Sequence, residues 1–157
     1  TSSEIKALVV ALGTAIGAVT GNPVAGFVFG LASHFAADAT PHFDAGSYMK
    51  PGDETYSVTT YMWAVTDVLA AFTVTALIVA SQANPLAVAA GAIGAMLPDI
   101  VFNPPFWKEF TRSLPGLRWL QDRLHAGWHW TVPPKDWLAG MLTQVIAVGG
   151  ALWLLAL

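Results

Sequence analysis

The chain has no cysteine. Disulfides and thiolate metal sites are therefore excluded, and any metal must be held by His, Asp or Glu. Charge is scarce: Asp, Glu, Lys and Arg make up 11% of the residues, against about a quarter in soluble domains. The net charge is −3 and the few basic residues form no single run, so nothing suggests nucleic-acid binding. There is no G-x-S-x-G elbow and no P-loop, so neither a serine-hydrolase nor a nucleotide-phosphate signature is present. Histidine is rare too, with four in 157 residues.

What is abundant is apolar. Hydrophobic residues make up 55% of the chain and the mean hydropathy is +0.55, pointing to membrane embedding. The length suits a single domain over residues 1–157. No cleavable leader is expected, because the first apolar stretch lacks a basic lead and runs straight into another.

Five apolar segments follow one another: Ile5–Val19, Val24–Ala39, Tyr61–Gln82, Leu86–Val101 and Asp136–Leu157. Turn signals at Thr20–Pro23 and Ser81–Pro85 separate the first two and the middle two. Ala45–Thr60 is polar and reads as a loop, and Asn103–Pro115, with three prolines, reads as irregular. Leu117–Trp130 reads as a short amphipathic helix, stopped by Pro133-Pro134. The expected fold is an all-α, integral-membrane bundle of about five apolar helices plus that amphipathic helix. Tyr61–Gln82 is long enough to cross a hydrocarbon core of about 30 Å. Segments one, two and four hold only about 15 apolar residues each, short for a span, and would tilt little, thin the bilayer or insert partway. Trp137 and Trp153 lie near the ends of the last segment, where aromatic belts sit. Gly13/Gly17 and Gly26/Gly30 are small-xxx-small pairs of the kind that let membrane helices approach closely, within one chain, a homo-oligomer or a larger membrane complex.

A faint repeat runs through the chain. Asn22-Pro23 opens an Ala/Gly-rich segment ending at Asp38, and Asn84-Pro85 opens another ending at Asp99. Duplicated helical hairpins would carry both acidic ends to the same side. Lys108, Arg112, Arg118, Arg123 and Lys135, five of the seven basic residues, fall in the loop on that side. By the positive-inside rule it is the cytoplasmic side of the membrane.

Chemistry concentrates in Gly30–Asp44, GLASHFAADATPHFD. His34, Asp38 and His42 are spaced i, i+4, i+8, which stacks side chains on one helix face. Pro41 disturbs the last turn, so His42 and Asp44 belong to an irregular exit close to Asp38. The remaining histidines, His125 and His129, are again i, i+4. Imidazole and carboxylate together are ligand types for zinc and similar divalent metals. Asp99, opposite Asp38 in the repeat, reads as a further ligand. Asp67 lies inside the third segment, where a carboxylate is costly unless paired; it either meets His34 or bonds Thr or Tyr hydroxyls between helices. His125 and His129 also fit an interfacial helix facing headgroups among Trp119, Trp128 and Trp130. Arg118 and Arg123 fit phosphate clamps or membrane-surface charges equally, and Asp122 is expected to pair with a neighbouring arginine.

The combination of S-H-F-A-A-D with P-H-F-D (Ser33 to Asp44), L-P-D (Leu97 to Asp99) and H-A-G-W-H (His125 to His129) resembles the bacterial inner-membrane metal-dependent hydrolases. That family is similar in ligand pattern to zinc-dependent phospholipase C. The resemblance implies that His34, Asp38 and His42 bind metal, that Asp99 joins them, and that His125 and His129 supply the remaining ligands. It covers about a third of the chain. A Thr-His pair common in the first helix of those relatives is missing, and His129 stands where the phospholipase has a glutamate. One or two metals are therefore expected in place of a full multi-zinc centre.

Three functions follow as expectations. The first is a multi-pass hydrolase of the inner membrane with its site facing the cytoplasm. It would act on a phospholipid or other amphiphile, with Asp67 or Asp44 as base or orienting group and Arg118 or Arg123 on the phosphate. The second is a non-catalytic accessory subunit of a larger membrane complex that holds the same metal. The third is a small transporter built on the hairpin repeat, disfavoured because the polar residues gather at one face.

Overall fold

A computed structural model describes residues 3–42, 58–102 and 107–156. The protein is all-α over these residues. The long helices are α1 (Ser3–Thr20), α2 (Pro23–Asp38), α3 (Val58–Ser81), α4 (Pro85–Phe102) and α8 (Trp137–Leu155). Between α4 and α8 lie the short α5 (Lys108–Ser113), α6 (Pro115–Leu120) and α7 (Ala126–Trp128).

Local chemistry sets the helix starts. Gly21 takes φ +59°, a left-handed residue that suits glycine, and its N–H returns to the Gly17 carbonyl at 3.0 Å. Asn22 then caps α2: its Oδ1 accepts from the N–H groups of Val24 at 2.9 Å and Ala25 at 3.1 Å. Pro23 follows in the first turn, where its missing N–H costs nothing. Asn84-Pro85 opens α4 in the same order. Asn22→Ala is expected to cost about 1 kcal/mol of stability and Asn22→Asp to restore it, read as a shift in thermal midpoint.

The packing follows the small residues. Gly26 faces Ala87, Gly30 faces Gly91 and His34 faces Ala95, so α2 and α4 run parallel. Gly13 faces Gly91 and Gly17 faces Ala87, so α1 runs antiparallel to α4. Ala147 packs against the cluster of Val9, Ala37 and Ala95, while Ala151 and Leu155 join Ala11 and Ala15, so α8 lies parallel to α1. Ala71 of α3 meets Val10 and Met96. The ends of α2 and α4 and the starts of α1 and α8 therefore share one end of the bundle.

The buried core is made mostly of alanine and valine, while large apolar side chains point outward. Leu69, Phe72, Leu77, Leu86, Leu138 and Ile146 are all more than half exposed.

Several sequence expectations change. Only α4 is long and apolar enough to cross a membrane among the described residues. The expected loop Ala45–Thr60 yields its last three residues to α3, and its other residues lie outside the described set. The helix expected to end at Asp99 carries Pro98 inside it and runs on to Phe102. The ring costs one backbone bond, to the Gly94 carbonyl, and the turns on either side carry the helix through. Within Asn103–Pro115, Lys108–Ser113 is helical. The amphipathic helix over 117–130 breaks into α6, a π turn at Gln121–His125, and α7.

Candidate metal centre

α2 ends at Asp38, so the i, i+4 spacing places His34 and Asp38 on one face, and Nε2 of His34 lies 3.2 Å from Oδ2 of Asp38. His42 arrives differently. The chain turns out of the helix through Thr40 and Pro41, and His42 forms a single parallel bridge with Thr131. Three backbone bonds zip the two segments together. Trp130 N–H donates to the Asp38 carbonyl at 2.8 Å, His42 N–H to the Trp130 carbonyl at 3.1 Å, and Val132 N–H to the His42 carbonyl at 2.8 Å. This pairing carries His129 onto the cluster. Its Nδ1 lies 3.5 Å from Oδ1 of Asp38 and its Nε2 lies 3.3 Å from Nε2 of His42. Asp38, His42 and His129 thereby form a largely buried group able to hold a metal ion, with one ligand atom from each within 4.8 Å of the others.

The hydrogen bonds set the imidazole tautomers. Nδ1–H of His34 donates to the Ala95 carbonyl at 2.8 Å, and Nδ1–H of His42 donates to the Thr40 carbonyl at 2.8 Å. In each neutral ring Nε2 then carries the lone pair. Nε2 of His34 faces a carboxylate, and Nε2 of His42 faces the Nε2 of another imidazole. Each contact is satisfied by a proton on one partner or by a shared cation. Two nitrogens bound tetrahedrally at zinc distances stand about 3.3 Å apart, which is the spacing of His42 and His129.

The electrostatics point the same way. Asp38 and His42 are each 1% exposed, and a buried carboxylate is costly unless compensated. Asp38 is also the last residue of α2, at the negative end of the helix dipole. Asp99 is buried near the end of α4, the helix parallel to α2, and acts electrostatically on His34. Two acids at two neighbouring helix C-termini make a place that favours positive charge.

The expected site residues divide as follows. The structure joins Asp38, His42 and His129, puts His34 against Asp38, and buries Asp99 near the end of α4 within electrostatic reach of His34. His34 is turned by its Ala95 bond toward Asp38 and is not among the three grouped ligands. His125 lies in the π turn, and its side chain is outside the described set. Asp67 lies within α3 with its side chain likewise outside that set, and Asp44 is outside the described residues. Arg118 is exposed and pairs with Asp122, its Nε 3.6 Å from Oδ2, as expected for that acid. Arg123 is exposed on the same π turn.

Two contributors carried no signal in local spacing. Thr143 of α8 donates its hydroxyl to the Pro41 carbonyl, holding the turn that presents His42. Trp130 contributes through its backbone N–H and carbonyl, which any residue except proline provides.

No family model, no curated protein and no solved structure matches the chain.

Proposed function

We propose that the protein is a membrane-embedded, metal-dependent hydrolase. Its substrate would be a phospholipid or another amphiphilic ester or phosphoester, at the cytoplasmic face of an inner membrane. The single observation that carries this reading is the meeting of Asp38, His42 and His129 from two distant segments, with two imidazole Nε2 atoms 3.3 Å apart. The two-nitrogen, one-oxygen donor set suits zinc among the divalent metals. Such an ion supplies Lewis acidity toward an ester or phosphoryl oxygen.

The chain's own residues divide the remaining work. His34, anchored on Ala95, orients Asp38, and Asp99 steadies the imidazole of His34. Asp67 or Asp44 serves as base or orienting group. Arg118 and Arg123 offer planar guanidinium donors for phosphate. The membrane location is supported by α4, by the outward-facing large apolar side chains and by the small-residue seams. The positive-inside asymmetry supports the cytoplasmic face.

A second reading is a metal-holding accessory subunit of a larger membrane complex. The observation favouring it is closure: Asp38 and His42 are almost wholly buried, as in a structural site.

Elemental analysis of the purified protein, together with assays of phospholipid and phosphoester hydrolysis, separates the two. The hydrolase reading expects about one or two zinc ions per chain, turnover, and loss of both in His42→Ala. Tightly held zinc with no turnover of any lipid ester selects the accessory subunit, and absence of metal ends both.

A further inference from the structure

We propose that residues 107–137 form a docking surface for the anionic headgroups of a lipid bilayer, and that this surface sets His129 at headgroup depth. The inference rests on the membrane location proposed above and adds the lipid chemistry that this face selects.

Charge is the first observation. The segment carries five basic residues against Glu109, Asp122 and Asp136, a net of +2, in a chain of net −3. The rest of the chain therefore carries −5. An interface that is positive on an acidic protein selects negatively charged lipid.

The second observation is the placement of tryptophan. Trp119, Trp128, Trp130 and Trp137 are each more than half exposed. Their rings present apolar bodies with a polar N–H, the combination that settles at headgroup level.

The third is the state of the arginines. Nη2 of Arg112 and Nε of Arg118 approach the two oxygens of Asp122 at 4.0 and 3.6 Å, in pairs that are about half exposed. Exposed pairs of this kind are weak in water. Each guanidinium has five N–H donors, and one carboxylate cannot use ten. Both arginines keep donors for lipid phosphate, which binds guanidinium bidentately.

The fourth is continuity with the metal centre. The segment crosses the end of the bundle where α2 and α4 finish, and it zips onto Asp38–His42 through Trp130 and Val132. His129 lies between two exposed tryptophans and has a 21% exposed side chain, whereas Asp38 and His42 are at 1%. It is the ligand at the mouth, and the lipid-facing tryptophans frame it.

The test uses the full chain in nanodiscs of phosphatidylcholine alone and of phosphatidylcholine with phosphatidylglycerol, with hydrogen exchange read over 107–137. Phosphatidylglycerol is expected to slow exchange there several-fold. The effect should fade at high salt, where screening is short-ranged, and vanish in the Arg112→Gln/Arg118→Gln variant. Equal exchange in the two lipids, or an unchanged phosphatidylglycerol effect in that variant, overturns the proposal and leaves only a neutral tryptophan belt. If the chain stays outside the discs, flotation with phosphatidylglycerol vesicles alone supports it, and flotation with neither vesicle overturns it. Zinc content of the same samples is an independent readout. Protection without zinc removes the metal reading alone, and zinc without protection removes the docking surface alone.

Discussion

Gly91→Ala is expected to remove the native fold, costing at least ~3 kcal/mol. Gly91 stands where α1, α2 and α4 cross. A methyl there would be driven into the Gly13 carbonyl, and the Gly91 carbonyl in turn lies where a side chain on Gly13 or Gly30 would go. All of these neighbours are backbone, so no rotamer change relieves the collision. Gly149→Ala and Gly150→Ala are the matched controls. Nothing lies within 4 Å of a Cβ at either position, and helix propensity there predicts no loss or a gain of up to ~1 kcal/mol. Thermal unfolding of the three variants in one solvent checks the contrast. A Gly91→Ala variant that melts with the wild type would mean the glycine seam does not hold the helices together. The same substitution should abolish metal binding, because the seam sets the separation at which His34 reaches the Ala95 carbonyl of α4.

Asp38→Asn is expected to end metal binding without unfolding the protein. The asparagine keeps the shape of the acid and can donate an N–H to the Nε2 lone pair of His34. It also removes a buried negative charge from the C-terminus of α2. The metal-free variant should therefore be no less stable than the metal-free wild type. The difference appears with zinc. At about a thousand times its Kd, a ligand that binds only the folded state adds about 4 kcal/mol. That shift should be present in the wild type and absent in Asp38→Asn and His42→Ala. His34→Gln should behave differently, because His34 orients Asp38 from behind. Losing such a partner weakens metal affinity by about 10–100-fold without abolishing it. Titration calorimetry on the variants orders these losses. If His34→Gln loses as much affinity as His42→Ala, His34 is a direct ligand and the division of roles given above is wrong.

Much of this protein was legible along the chain. The Asn-Pro starts of α2 and α4 and the turn at Gly21 follow from local backbone chemistry, which needs no partner. The His34–Asp38 pairing follows from helical spacing, and the Pro41 exit was visible because proline cannot continue the turn. Of the i, i+4 pair His125 and His129, only His129, just past α7, has a described side chain, and it reaches Asp38.

The sequence by itself determined an all-helical, weakly charged chain, and it limited any metal to His, Asp and Glu. Only the tertiary structure decided which of these residues meet. His129 reaches Asp38 through backbone bonds between segments some 90 residues apart, and Thr143 reaches Pro41 across 102. Such bonds are made by peptide groups and a lone hydroxyl, which every stretch of chain possesses, so residue identity cannot announce them. Helix spacing is written in the order of residues, but the closing of a site depends on which ends of the bundle come together.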